Sequence, residues 1–337
     1  MQEAIQKLLG GKSLTVAESR AAMTLIMEGQ ASPVLMASYL TALAMKGPTS
    51  DEITGAAMVM REKATRIDPG GRVVVDTCGT GGDHSGTFNI STAAALVTAG
   101  AGVAVAKHGN RGATSKSGSS DVLEALGVKI DVPPEVVSRC IGEAGIGFMF
   151  APLLHGAMKH AVPVRKELGF RTIFNVLGPL TNPAGARRQV MGVFDIELVP
   201  LIGEVLRNLG AEHAIVVHGT DGLDEITLGG PTRAAEVKPD GVEPLELTPQ
   251  EFDLRPCDAA DLRVDSAAES AEVIRGVLAG RPGSARDIVA LNAAAAIYVG
   301  GGASSVAEGL EQASVSIDSG AAAQVLARLV ELTRGGG

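Results

Sequence analysis

The residues able to do chemistry are concentrated between Asp76 and Asp121. Asp76-Thr77-Cys78-Gly79-Thr80-Gly81-Gly82-Asp83 follows the apolar run Val73-Val74-Val75 and leads, through Asn89-Ile90-Ser91-Thr92, into an alanine-rich helix beginning near Ser91. Glycines between a strand and a helix start leave backbone N–H groups free to close on an oxyanion. A second loop, Lys107-His108-Gly109-Asn110-Arg111-Gly112, follows the apolar Val103 to Ala106 and adds fixed positive charge. Thr114-Ser115-Lys116-Ser117-Gly118-Ser119-Ser120-Asp121 extends it into a row of oxyanion donors. Two strand-end loops are therefore expected to face one anionic ligand. Two common nucleotide motifs fail: His84 stands where the dinucleotide fingerprint needs its third glycine, and no Walker A lysine follows. The acidic pair of the usual phosphoribosyl diphosphate signature is also missing, because Thr77 follows Asp76.

Glycine clusters alone are more often turns than phosphate sites. What shifts the balance is the polar set Asp83, Thr87, Asn89, Ser91 and Thr92 at a helix entrance, which can hold a sugar phosphate and a metal. Asp224-Glu225 closes the loop Gly219-Thr220-Asp221-Gly222-Leu223-Asp224-Glu225. Adjacent carboxylates are commonly a surface pair, but on a glycine-rich loop they suit Mg²⁺, an oxygen-seeking ion usually shared with substrate phosphates. Arg165 stands in an apolar segment with no further arginine until Arg171, which makes it a candidate clamp for a substrate carboxylate. His108 reads equally as a base, a shape element or a hydrogen-bonded spacer.

The elements that must position these groups fall into two patterns. Up to Asp68 the signals are helical: capping boxes at Thr15/Glu18 and Thr49/Glu52, and Ser32-Pro33 as a cap with proline at the first helical position. About four short helices result, too small a unit to be stable without packing on another segment or subunit. After Asp68-Pro69-Gly70-Gly71, a plausible hinge, strands and helices alternate: strands at Val73–Asp76, Val103–Lys107, Val128–Ile130 and Gly147–Phe150, with helices from Ser91, over Ser117–Leu126 and through Ile141. That is an α/β sheet with crossover helices, whose ligands sit beyond the carboxyl ends of the strands. Residues 162–186 interrupt the alternation and are assigned back to the helical domain. Strands resume at Gln189–Phe194, His213–His218, Arg233–Lys238 and Val242–Leu247, and Ser266–Thr333 reads as alanine-rich helices. The expected fold is α/β: a small all-helical domain, residues 1–68 with 162–186 returning to it, on a larger domain, 72–161 and 187–337, with a central mostly parallel sheet.

The totals agree. The chain has 337 residues, 45% of them hydrophobic, enough for a sizeable core, and a formal net charge of −9, which argues against nucleic acid or a membrane surface as the main partner. Three cysteines without metal-ligand spacing argue against a disulfide framework or zinc site and suit a reduced cytoplasm. Met1-Gln2-Glu3-Ala4 lacks signal-peptide grammar and is expected to be the mature start.

Taken together, the motifs closely resemble those of anthranilate phosphoribosyltransferases over nearly the full length. The resemblance rests on Gly79-Thr80-Gly81-Gly82-Asp83, Asn89-Ile90-Ser91-Thr92, Lys107-His108-Gly109-Asn110-Arg111, Ser117-Gly118-Ser119, Arg165-Lys166-Glu167-Leu168-Gly169, Gly178-Pro179-Leu180-Thr181-Asn182-Pro183-Ala184 and Asp221-Gly222-Leu223-Asp224-Glu225. It implies a larger domain of the nucleoside phosphorylase/phosphoribosyltransferase type, and transfer of the phosphoribosyl group of phosphoribosyl diphosphate to the amino group of anthranilate, in tryptophan biosynthesis. Phosphoribosyl diphosphate would lie on Gly79, Gly82, Asp83, Thr87, Asn89, Ile90, Ser91, Thr92, Lys107, His108, Gly109, Asn110, Arg111, Gly112, Ser115 and Ser119. Anthranilate would meet Gly79, Asn110 and Arg165. Two Mg²⁺ ions per active site would be held, one by Ser91 with Glu225 and one by Asp224 with Glu225. A cytoplasmic homodimer joined through the helical domains is implied as well. Departures from the family pattern are small: Gly112-Ala113-Thr114 where serines are expected, and Gly156 after His155 where proline is common.

Two rivals share the fold, a pyrimidine nucleoside phosphorylase and a non-enzymatic nucleic-acid binder. Gly109-Asn110-Arg111 counts against the first; the net charge and the retained Asp224-Glu225 count against the second. The transfer reaction calls for charge stabilisation at the leaving group, by metal and Lys107, more than for an essential general base.

Overall fold

The computed structural model describes residues 1–112 and 116–335. Four helices come first: α1 (Gln2–Leu9), α2 (Val16–Met27), α3 (Pro33–Lys46) and α4 (Ser50–Lys63). Thr15 with Glu18 and Thr49 with Glu52 form reciprocal capping boxes, and Ser32 caps α3 ahead of Pro33, satisfying N–H groups that a helix start leaves unpaired. Glu52 does more than cap. Fully buried, it accepts from the Leu14 N–H at 2.8 Å and pairs with Lys46 at 2.9 Å. The cation and the N–H donors together offset the desolvation of that carboxylate and tie the α1–α2 connection to α4.

The rest is built on seven strands, β1 (Val75–Gly79), β2 (Val105–Gly109), β3 (Ile146–Phe150), β4 (Arg188–Gly192), β5 (His213–Gly219), β6 (Thr232–Lys238) and β7 (Gly241–Leu247). Their order is β3-β2-β1-β4-β5-β6-β7; β1 to β5 pair in parallel, β6 and β7 antiparallel at one edge. Helices α5 (Ile90–Gly100), α6 (Ser119–Ala125), α7 (Pro134–Ala144), α8 (Ala151–Leu154), α9 (Val162–Leu168), α10 (Phe174–Leu177) and α11 (Leu198–Asn208) connect the strands. Four more close the chain: α12 (Ala267–Leu278), α13 (Ser284–Gly300), α14 (Val306–Asp318) and α15 (Ala321–Arg334). The alanine-rich α5 and α13 pack on the sheet among β1, β4 and β5, and alanine is what permits their close approach.

On the opposite face, Ile26, Leu40, Ile53 and Val59 of the first helices join Val164, Phe174 and Leu177 of α9 and α10 in one apolar cluster. The same cluster continues into Met191 of β4 and Ile202 of α11. The small helical unit therefore gains its core by sharing one with the sheet, the solution its size requires.

Two expectations change. The triplet Val128-Lys129-Ile130 is not a strand: Val128 and Ile130 are buried and Lys129 is exposed, but the Lys129 N–H donates to Thr333 Oγ1 of α15 at 3.2 Å instead of to a sheet neighbour. Packing under a helix and packing in a sheet give the same alternation over three residues, too short a stretch to separate them. The first strand starts at Val75, not at Val73, which is 60% exposed.

Candidate active site

All the chemistry gathers at the carboxyl ends of β1, β2 and β5. Gly79 ends β1; Gly82, Asp83, Thr87 and Asn89 lie in the loop to α5; Ile90, Ser91 and Thr92 form the first turn of α5. Lys107, His108 and Gly109 end β2, Asn110, Arg111 and Gly112 follow it, and Ser119 opens α6. Asp224 and Glu225 lie beyond β5. Ser115 falls outside the described residues, as do Ala113 and Thr114 of the unusual Gly112-Ala113-Thr114 run.

Three of these elements are joined directly. The Ser91 N–H, at the start of α5, donates to Glu225 Oε1 at 3.0 Å, and the Gly81 N–H donates to Asp224 Oδ2 at 2.9 Å. Lys107, buried, sends its ammonium to the Thr77 carbonyl and to within 3.4 Å of Ser91 Oγ. Space for the acids comes from missing side chains: a Cβ on Gly79 would meet the Asp224 carboxylate, and one on Gly192 would lie 2.5 Å from the Asp224 carbonyl carbon.

Charge is in excess here. Burial pushes Asp224 well above the ordinary carboxylate range, with Asp83 and Glu225 adding repulsion; burial raises Glu225 too, opposed by Lys107 and the Ser91 N–H. Carboxylates crowded in this way favour a divalent cation. Among the described residues no three His, Cys, Asp or Glu side chains are grouped to hold a metal by themselves. A magnesium ion on Asp224 and Glu225 would complete its shell with water and substrate oxygens, as this ion ordinarily does.

The second loop divides. Asn89 is tied to it, accepting from Ser117 Oγ at 2.9 Å and donating to the Ser117 carbonyl at 3.3 Å, while Ser119 Oγ donates to the Asn110 carbonyl at 3.4 Å. Arg111 is engaged by Asp121 at 2.8 Å and Glu124 at 2.6 Å, so its guanidinium braces the loop against α6. Ile90 buries its side chain in the core, leaving only backbone for a ligand, and the buried Thr92 Oγ1 has no hydrogen-bond partner among the described residues. Arg165 is set apart on α9, its guanidinium 5.1 Å over the Phe174 ring and depressed in pKa by burial. It makes no ion pair among the described residues, which suits a cation reserved for a ligand carboxylate.

Of the three readings of His108, the geometry favours the spacer. Its Nε2 lies 3.1 Å from Nε2 of His155, and its N–H donates to Asp76 Oδ1 at 3.1 Å. Burial pushes its pKa down to about 3 and that of His155 to about 4, so both stay neutral near pH 7.

Other residues of the site stood in the quoted motifs without a role assigned to them, or outside those motifs. Asp76 is fully buried; its Oδ2 accepts from Asn182 Nδ2 at 2.7 Å, and Asn182 also donates to the Ala106 carbonyl at 2.8 Å. Gln189 Nε2 donates to the Pro179 carbonyl at 2.7 Å. The segment Gly178–Pro183 is thereby fastened to the strands that carry both loops. The available signal was the polar Thr181-Asn182 inside an otherwise apolar stretch.

Comparisons with known proteins agree with this geometry. Residues 71–323 match the α/β domain of a glycosyl transferase family and residues 2–64 its helical bundle domain. An anthranilate phosphoribosyltransferase of Thioalkalivibrio sulfidiphilus is 56% identical over 333 residues, 99% of this chain and 98% of its own. The crystal structure of the Thermus thermophilus anthranilate phosphoribosyltransferase superimposes with a TM-score of 0.93 at 44% identity, covering 98% of this chain and 99% of that one. The Saccharomyces cerevisiae enzyme, solved in complex with PRPP and Mg, gives a TM-score of 0.90 at 28% identity, covering 99% and 98%.

Proposed function

The chain belongs to the anthranilate phosphoribosyltransferase family, and we propose that it transfers the 5-phosphoribosyl group of phosphoribosyl diphosphate (PRPP) to the amino nitrogen of anthranilate, releasing diphosphate. The observation that carries this reading is the convergence of the α5 N-terminus, Lys107 and the Asp224-Glu225 pair at one end of the sheet, joined through the Ser91–Glu225 bond. Helix N-terminal N–H groups and a buried ammonium suit an oxyanion; the adjacent acids suit magnesium. The rival readings as a nucleoside phosphorylase or nucleic-acid binder gain no support from the relatives named above.

In the reaction a C–N bond forms at the anomeric carbon as the C–O bond to diphosphate breaks, and the arylamine then loses a proton to solvent. Ser91 with Glu225, and Asp224 with Glu225, would hold two magnesium ions, which would supply neutralisation of the leaving group. Gly79, Gly82, Asp83, Thr87, Asn89 and Ser119 orient the donor, and Lys107 stabilises charge developing beside the α5 N-terminus. Asn110 and Arg165 orient the acceptor, whose neutral nitrogen needs placement more than deprotonation. His108, its pKa pushed down to about 3 by burial and its ring engaged with His155, is too weak a proton acceptor for a base role.

A homodimer through the helical unit is part of the proposal, supported by Leu9, Val34 and Met45, which are 67%, 74% and 83% exposed. Function in tryptophan biosynthesis follows from the reaction, and a cytoplasmic location is part of the proposal. Among the described residues no helix is long and apolar enough to cross a membrane. The test is incubation with Mg²⁺, PRPP and anthranilate while anthranilate fluorescence is followed. Loss that requires all three supports the proposal; no loss, with phosphorolysis or DNA binding instead, sinks it.

A further inference from the structure

Arg171 is an exposed cation that the proposed reaction does not use. Arg171 lies between α9 and α10, in the segment that returns to the helical unit. Its Nη2 donates to the Gly82 carbonyl at 2.5 Å and lies 3.5 Å from His84 Nε2, while its guanidinium carbon sits 4.0 Å above the Phe194 ring. Phe194 is fixed to the same loop, because its N–H donates to Thr80 Oγ1 at 3.0 Å and the Thr80 N–H donates to the Gly192 carbonyl at 2.9 Å. Arg171 therefore grips the glycine loop at its crest while resting on a ring attached to its base.

The crest needs such a grip. Gly81, Gly82 and His84 all have positive φ, 64°, 81° and 57°, a conformation unusual for a residue with a side chain. In a trans peptide the C=O of one residue and the N–H of the next point in opposite directions. Holding the Gly82 carbonyl towards Arg171 thus fixes the Asp83 N–H on the opposite side. Rotation of that peptide unit would reverse the two, replacing a donor with an acceptor on a loop that must receive an anion.

The geometry points to Arg171 as a positioning residue for the sugar diphosphate donor, holding the Gly82–Asp83 peptide in its anion-receiving orientation from the helical side of the molecule. This rests on the donor assignment proposed above. It also gives the segment 162–186 a part in donor binding, beside the acceptor role of Arg165. A positive charge alone would not suffice, because the planar guanidinium both stacks on Phe194 and donates in its own plane, which an ammonium cannot do.

The test compares Arg171→Ala, Arg171→Lys and Phe194→Leu with wild type, by steady-state kinetics on both substrates and by calorimetric titration of PRPP in the presence of Mg²⁺. In Arg171→Ala the donor KM and Kd should rise about tenfold, the loss of one charge-assisted hydrogen bond, with the anthranilate KM changed less than about twofold. Arg171→Lys should stay close to Ala, and Phe194→Leu should move in the same direction by a smaller factor. Because Arg171 is exposed, its removal should shift Tm by no more than about 2 °C. An unchanged donor KM and Kd, an equal rise in both KM values, or full recovery by lysine would each overturn the inference. A wild-type protein that turns over neither substrate would instead defeat the function on which it rests.

Discussion

Substituting Gly192 by alanine tests whether Asp224 and Glu225, the acids proposed to hold magnesium, are positioned by backbone packing. Gly192 ends β4, and a Cβ there would lie 2.5 Å from the Asp224 carbonyl carbon and 3.3 Å from its Cα, running into the carbonyl oxygen between. The nearest contact is the Asp224 carbonyl oxygen, deep inside van der Waals distance, so the Asp224 backbone must retreat by more than about 1 Å. The strand is hydrogen-bonded on both sides, to β1 and β5, and cannot yield in its place. Overpacking of this kind costs about 1–3 kcal/mol in stability. The greater effect falls on catalysis, because a displacement of about 1 Å in a positioned group can cost on the order of 100-fold. Gly192→Ala should therefore fold, melt a few degrees lower, and lose about two orders of magnitude in kcat together with its normal Mg²⁺ response. Gly142→Ala is the control: nothing lies within 4 Å of its Cβ and it is inside α7, so a gain of about 0.5–1 kcal/mol is expected with activity intact. Wild-type kcat and magnesium response in Gly192→Ala would refute the packing argument.

Acid should destabilise the fold through its buried histidines. Burial lowers His108 to about 3 and His155 to about 4 from the usual 6.5. The unfolded chain therefore takes up protons first, and the stability present above about pH 6.5 is lost as pH falls, at up to about 1.4 kcal/mol per unit for each histidine. The Asp224 and Glu225 carboxyls, held high by burial, act in the opposite sense over the same range, so the histidine contribution is read as the difference between the melting curves of wild type and His155→Gln from pH 7.5 to 5: the variant should lose less stability on acidification, and an unaltered slope would mean these rings are not the source. Arg165→Ala removes a half-buried cation that makes no ion pair among the described residues, and should raise the anthranilate KM about 30-fold, equivalent to about 2 kcal/mol, with little effect on the donor KM. An equal effect on both substrates would reject the clamp.

The sequence was most readable where local chemistry decides structure. The caps at Thr15, Ser32 and Thr49, the glycine loops after β1 and β2, and the α/β alternation all follow from residue type and spacing over a few positions. Long-range contacts were less legible. Val128 and Ile130 are buried for a reason the triplet does not disclose, since α15, some 200 residues away, takes the intervening Lys129 N–H. The role of Asp76 depends on Asn182, and that of Gly82 on Arg171, each pair separated by most of a domain. Arg111 looked like a free cation for an anion, yet Asp121 and Glu124, one and two turns into α6, already engage it. Spacing alone did not distinguish a charge kept for a ligand from one kept for the scaffold.

The central claim is that the glycine loops, the α5 N-terminus and the Asp224-Glu225 pair form one magnesium-dependent donor site. Glu225→Gln removes one charge while keeping an oxygen to accept the Ser91 N–H, so the local fold should survive. Calorimetric titration of PRPP with and without Mg²⁺ measures the site directly. Wild type should bind tightly only with the metal, and Glu225→Gln should lose most of that metal-dependent gain. Equal gains in the two proteins would contradict the account.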